Sequence, residues 1–357
     1  MTTLTVLPRA NATRPMLVAA AALVGAMVVG MSVGPAGIPL ATVLEAFAGH
    51  IPLINYHPYI STIDWDVLWQ IRAPRVVLGG LVGAMLAGGG AAYQGVFRNP
   101  LADPYLLGVA AGAGLGATII IVAGSANLSQ LLPFTAFAGA VLAVVMTYLV
   151  GASSTGGLTR RSGSGTMTNT SIVLAGVAVA ALFTAVQTYL QQQHSPELQN
   201  VYAWILGSLT VASWSQVRLI LPYVIVSAAV LVAHRRLLDV LRVGEDEAGA
   251  LGINTARVRL IVVAAATVGT AAVVSVSGLI GFVGIIVPHT VRLVSNASYR
   301  VVLPVSMVGG AAFLILADVV ARTVESPAEI PIGVVTAFVG APFFLFVLRS
   351  RRAQSGV

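Results

Sequence analysis

Lysine and cysteine are both missing from this 357-residue chain, and acidic residues are scarce, with 12 Asp and Glu in all. Without cysteine there is no disulfide, no thiolate metal site and no cysteine nucleophile. Without lysine there is no Walker A loop, whose lysine reaches the terminal phosphates of ATP. If ATP powers this protein, a separate subunit binds it. Histidine gives no centre either: His50, His57, His194, His234 and His289 are scattered over several loops and spans. A membrane enzyme would need a clustered set of such groups. No catalytic residue, metal site or cofactor is expected.

Charge of either sign is thin. Charged residues make up 9% of the chain, hydrophobic residues 57%, and mean hydropathy is +0.92. A soluble domain carries about 25% charged residues, and a soluble fold of this length could not cover its surface with so few. A lipid-facing surface needs none. The formal net charge of +7 and pI of about 10.2 then reflect arginine-rich cytoplasmic loops, not a nucleic-acid partner.

A bilayer core takes about 20 apolar helical residues to cross. Ten stretches qualify: 16–34, 74–95, 105–123, 131–151, 171–190, 215–233, 259–277, 281–294, 301–322 and 331–348. The eighth is short, and Pro288 is read as shortening or breaking it. The first follows Arg9 and Arg14 as a signal peptide would, but it is long and lacks a clean small-x-small cleavage site, so it is read as a retained helix. With the N-terminus inside, all of the 19 arginines except Arg72, Arg75, Arg218 and Arg322 fall on inner loops. The fold class is therefore all-α: one polytopic transmembrane domain over 1–357, about ten helices, both termini cytoplasmic.

Four segments outside the spans stand out. Residues 1–15 form a cytoplasmic tail. Residues 35–71 form an outer segment with Trp65 and Trp69 as interface anchors. Residues 152–170 form a polar Gly/Ser/Thr-rich inner loop. Residues 234–258 form the largest charged inner block, read as one or two short helices against the inner face. Within the spans, Gly79 with Gly83 and Gly112 with Gly116 make small-xxx-small pairs that let helix backbones approach. Asp318, the one acid clearly inside a span, has Arg322 at i+4 and is read as its structural partner. His289 is read as a hydrogen-bonded structural group.

Taken in order, several segments resemble the FecCD-type permeases. These are the membrane subunits of importers for ferric siderophores, haem and cobalamin. "RAPRVVLGGLVGAMLAGGGAAYQGVFRNPLADPYLLGVAAGAGLGA" (72–117) is similar to the family signature. "GEDEAGALGI" (244–253) resembles its cytoplasmic coupling segment, and 278–294 and 316–352 resemble its C-terminal core. The resemblance implies ten helices per subunit and two permease subunits, of the same or a related chain, around a central path. Two ATP-binding-cassette ATPase subunits dock inside and an extracytoplasmic substrate-binding protein docks outside.

The resemblance also assigns residues. Arg72 and Arg75 in "RAPR", with Arg322, would receive carboxylates of the binding protein, since an arginine fork matches a carboxylate bidentately. Read from the residues alone, the plainer account is that these arginines reach for lipid phosphates. Gly244, Glu245, Ala248, Leu251 and Gly252 fit the coupling pattern and would pass on ATPase closure. Asn169 and Thr170 would sit at the cytoplasmic gate, or simply start a helix as capping residues. The expected cargo is a metal chelate, a ferric siderophore first, with haem or cobalamin open. An ion-coupled carrier is the rival reading, and it would call for paired midplane acids, which the other spans do not supply.

Overall fold

A computed structural model describes residues 12–48, 60–124, 129–154, 169–250, 252–295 and 298–355. All regular structure among them is helical. The elements are α1 (Thr13–Ser32), α2 (Leu40–Ala48), α3 (Thr62–Asp66), α4 (Ala73–Phe97), α5 (Val109–Val122), α6 (Leu132–Ser154), α7 (Asn169–Gln193), α8 (Leu198–Ile205), α9 (Trp214–Val243), α10 (Glu245–Ala250), α11 (Thr255–Ser277), α12 (Val283–Val294), α13 (Tyr299–Thr323) and α14 (Ile332–Ser355). A π-helical turn, Val67–Arg72, joins α3 to α4, so Thr62–Phe97 is one helical rod of 36 residues.

Each of the ten apolar stretches coincides with a helix. Among the described residues, seven helices are long and apolar enough to cross a bilayer, while Val109–Val122, Val283–Val294 and Ile332–Val347 are shorter apolar helices. The π turn and α3 extend the second span outward beyond the expected start. Trp69, expected as an interface anchor, is half-buried. Its ring meets Phe47 edge-on at 5.6 Å, and its carbonyl accepts the indole N–H of Trp214 at 2.8 Å.

Burial sorts the helices. In α4 with its α3 extension, 78% of the best membrane window is buried, against 22% for α1 and 28% for α9. The central helix is therefore largely surrounded by protein, and the outer ones leave most of their surface uncovered. What lets α4 sit in the middle is its lack of side chains. A Cβ on Gly83 would overlap the backbone of Gly310 on α13, and one on Gly90 the backbone of Gly284 on α12. On the far side, Gly112 and Gly116 of α5 lie against the backbone of α6 at Gly139 and Thr135. Between apolar helices in lipid, such close approach supplies the packing energy. At mid-bundle the hydroxyls of Tyr93 and Thr267 bond at 2.8 Å, linking α4 to α11.

Pro288 lies inside α12, which runs through it unbroken. The helix is short because its start is late: Phe282 takes a left-handed φ of 68° and serves as the N-cap. The turn after α8 bonds to the last residue of α11 and to the first two of α14. Ser208 N–H donates to the Ser277 carbonyl at 2.9 Å, Ile332 N–H to Gly207 at 3.1 Å and Gly333 N–H to Leu206 at 3.0 Å. Irregular backbone at membrane depth is tolerated only where its polar groups find partners like these.

Candidate functional site

Polar side chains gather at the two ends of the bundle. At one end, Arg75 on α4 lies between two carboxylates. Its Nη2 is 2.8 Å from Asp318 of α13, and its Nη1 is 2.8 Å from Glu329 in the loop after α13. Glu329 also accepts a hydrogen bond from the Thr210 hydroxyl at 2.8 Å. Arg322, one turn beyond Asp318, has its Nε 3.6 Å from that carboxylate and donates from Nη2 to the Gly30 carbonyl at 2.6 Å. Arg72 donates to the carbonyls of Met31 at 2.6 Å and Ser32 at 2.8 Å, and to that of Ala36.

The last turn of α1 explains two of these arginines. Its carbonyls have no intrahelical partner, and a cation near a helix C-terminus also meets the negative end of the dipole. Arg72 and Arg322 satisfy both needs and so fix α1 to α4 and α13. Gly30 makes the approach possible, since a Cβ there would meet Val76 at 2.9 Å and Ile315 at 3.0 Å.

The Asp318–Arg322 pair is present as read from its spacing, but Arg75 is the closer partner of Asp318. Arg72, Arg75 and Arg322 are 3%, 7% and 3% exposed, so another protein's carboxylate reaches them only by displacing what covers them. Glu329 is the rim of the cluster, with its side chain 25% exposed. The arginine hydrogen bonds hold its carboxyl below the usual carboxylate range, against the opposing effect of burial. Glu329 and Thr210 are functional candidates that the sequence reading passed over.

At the opposite end, α9 passes through Gly244 into α10. Ala248 is fully buried. Gly252 ends the helix with φ +75°. Its N–H donates to Gly249 at 2.9 Å, and Ile253 N–H donates to Ala248 at 3.1 Å. Those two bonds form a Schellman cap with Gly252 in the left-handed position. Asn254 then caps α11 by accepting from Arg257 N–H at 2.9 Å. Glu245 opens α10, and Leu251 lies outside the described residues.

Beside this segment, Arg292 of α12 donates to Gln94 of α4 and, at 3.2 Å, to the Tyr299 hydroxyl. Asp239 of α9 accepts from Tyr299 N–H at 2.7 Å and from the Ser298 hydroxyl at 2.6 Å. The end of α9 is thus tied to α4, α12 and α13 just before α10 departs. Of the two residues expected at the gate, Asn169 opens α7 and Thr170 is exposed in its first turn. Among the described residues, no group of three or more His, Cys, Asp or Glu could hold a metal ion. His289 is buried edge-on to Phe343, with ring centroids 6.0 Å apart.

The FecCD transport family model matches residues 22–350. The cobalamin import system permease protein BtuC of Halobacterium salinarum is 41% identical over 319 residues, covering 89% of this chain and 82% of that protein. The hemin transport system permease protein HmuU of Yersinia pestis is 38% identical, covering 83% of this chain and 88% of that protein. A solved structure described as an inward-facing metal-chelate type ABC transporter superposes with a TM-score of 0.79 at 28% identity, covering 95% of this chain and 99% of that one. The chain belongs to the FecCD transport family, and it is a multi-pass plasma-membrane permease of an ABC importer.

Proposed function

We propose that this permease works as one of two membrane subunits around a central path, with ATPase subunits against the α10 end and a substrate-binding protein at the arginine end. The observation that carries this reading is the superposition of nearly the whole chain on a metal-chelate transporter. The arginine bias of the loops supports it by setting the α10 end in the cytoplasm, along with both termini. The cargo is a bulky metal chelate. Likeness to a cobalamin permease supports a corrinoid as the first ligand to test. The ferric siderophore expected from the breadth of the family is the second, and haem the third.

Coupling is assigned to Gly244, Glu245, Ala248, Leu251 and Gly252. A short capped helix rooted on a hydrogen-bonded end of α9 can move as a rigid body when ATPase subunits close. Docking is assigned to the cluster of Arg72, Arg75 and Arg322, in a form that its burial dictates. A partner carboxylate takes the place of Glu329 on Arg75. Arg72 and Arg322 stay bonded to α1 and add positive potential from behind. Asn169 and Thr170 are assigned to the cytoplasmic gate.

The test is uptake into vesicles carrying this chain with its ATPase and binding protein. Labelled cobalamin, ferric siderophore and haem are offered with and without ATP. ATP-dependent uptake of one of them is the expected result. Uptake that ignores ATP and follows an imposed ion gradient would overturn the reading in favour of a secondary carrier.

A further inference from the structure

A groove of about 250 Å³ runs between α6 and α11, apart from the arginine cluster and from the α10 segment. Val141, Val145 and Leu149 line it from α6 at i, i+4 and i+8, so they share one helix face. Leu260, Ala264 and Val268 line it from α11 at the same spacing. Val145, Leu149, Leu260 and Ala264 are exposed, so the groove opens outward from the bundle. From Val141 to Leu149 the helix rises about 12 Å, against about 15 Å for the hydrocarbon of one leaflet. Left empty, such a slot would lose the contacts its walls could make. One acyl chain has the length and the chemistry to fill it.

Two hydroxyls reach the groove, and they differ. That of Thr267 is already bonded to Tyr93 at 2.8 Å. The Tyr148 hydroxyl is buried and has no hydrogen-bond partner among the described residues. A buried donor left unmet is costly unless something else supplies the acceptor. Arg259, near the start of α11, lies close enough for its charge to act on that hydroxyl. Arg259 is only 7% exposed, while Arg257, two residues nearer the helix start, is exposed. The apolar slot therefore ends in a hydroxyl donor with positive charge beside it. Hydrocarbon wall first, then donor and cation, is the complement of a phospholipid, and the cations favour an anionic headgroup.

We propose that the α6–α11 groove binds one anionic phospholipid, its acyl chain lying between the two helices and its phosphate accepting from the Tyr148 hydroxyl beside Arg259. The lipid belongs to the cytoplasmic leaflet, a placement that rests on the orientation proposed above.

The permease purified with its ATPase is delipidated and titrated with phosphatidylglycerol, or with phosphatidylcholine of the same acyl chains as the zwitterionic control. Native mass spectrometry counts the lipid retained, and thermal unfolding reads its effect. One phosphatidylglycerol per permease chain is expected, held about fivefold more tightly than phosphatidylcholine, the worth of one arginine near an anionic headgroup. Tyr148→Phe should weaken phosphatidylglycerol about tenfold, as loss of a hydrogen bond to a charged group predicts. Ala264→Trp, which fills the exposed slot and leaves both polar groups in place, should abolish retention. In the delipidated state Tyr148→Phe should be as stable as wild type or more so, because it removes an unmet hydroxyl. That sign separates lost lipid from a folding defect.

Equal affinity for the two lipids would overturn the site. So would phosphatidylglycerol binding unchanged in Tyr148→Phe and Ala264→Trp. Stabilisation by inorganic phosphate equal to that by phosphatidylglycerol would replace the lipid with an ion. If Ala264→Trp separates the permease pair on size exclusion while the lipid count stays constant, the groove is an interface between copies instead. Each of these outcomes leaves the importer reading standing, since ATP-driven uptake decides that separately.

Discussion

Arg75 of α4 bonds Asp318 of α13 and Glu329 of the following loop at the same time, at 2.8 Å to each carboxylate. The second apolar span of the chain is thereby tied to its C-terminal quarter. The guanidinium presents different edges to the two acids, with Nε and Nη2 toward Asp318 and both Nη atoms used toward Glu329. A lysine, with one compact ammonium, cannot reproduce that fork.

Removing Arg75 should therefore cost far more than a surface ion pair. Arg75→Ala leaves the Asp318 carboxylate buried beside only the longer Arg322 contact. Breaking a buried pair in this way costs about 3–5 kcal/mol. The variant should lose most of its thermal stability in detergent. Arg75→Lys should recover part of it, and Arg75→Met combined with Asp318→Leu should recover more than Arg75→Ala alone. Thermal unfolding of the purified variants reads the order. A double variant less stable than Arg75→Ala would show that the charges themselves stabilise the native packing.

Glu329 sets a pH dependence. Its carboxyl is held low in the folded protein, first by the hydrogen bonds from Arg75. A depressed carboxylate contributes stability above its unfolded pKa, about 4.3 for glutamate, and that stability is lost as pH falls through the lower folded value. The difference in melting temperature between wild type and Glu329→Gln should stay constant from pH 8 to about 5.5 and shrink below about 4.5. A difference that grew on acidification would reverse the sign and exclude the pair as its cause.

Two glycines one helical turn apart should respond very differently. Gly83→Ala places a methyl group into the backbone of Gly310, so α4 and α13 must separate, at about 1–3 kcal/mol for overpacking. At Gly79 the added carbon would meet side chains alone, the flexible end of Leu209 at 3.3 Å and Ile315 at 3.8 Å. Gly79→Ala should stay within about 0.5 kcal/mol of wild type. Melting temperatures of the two variants, measured side by side, test whether close backbone contact or glycine content holds this helix pair.

What the sequence revealed follows the range of the interactions involved. The apolar stretches were legible because lipid demands length and hydropathy from consecutive residues. The Asp318–Arg322 pair was legible because i,i+4 spacing is local. Glu329 and Asp239 were not: each is a lone acid whose partner is distant in the chain, and no periodicity marks it. The burial of Arg72 and Arg322 was hidden for a related reason. Their acceptors are carbonyls at the end of α1, and a backbone carbonyl has no signature in sequence. Pro288 misled because a helix can contain proline when the bond it removes is not needed. The late start of α12 depends on Phe282 at positive φ, a conformation no side chain announces.

The coupling assignment can be tested at Gly252 without removing any contact. No atom lies within 4 Å of a Cβ built there, yet its φ is +75°, where a non-glycine residue is strained by about 1–2 kcal/mol. Gly252→Ala therefore acts on the Schellman cap alone, and Gly252→Asn, which tolerates the left-handed region better, should act less. If α10 passes on ATPase movement, Gly252→Ala should lower the chelate carried per ATP hydrolysed while the ATPase still binds the permease, with Gly252→Asn in between. Transport and hydrolysis measured on the same vesicles give that ratio. A ratio unchanged in both variants, with the cap shown to be loosened by faster amide exchange at Ile253, would remove the coupling role from this turn.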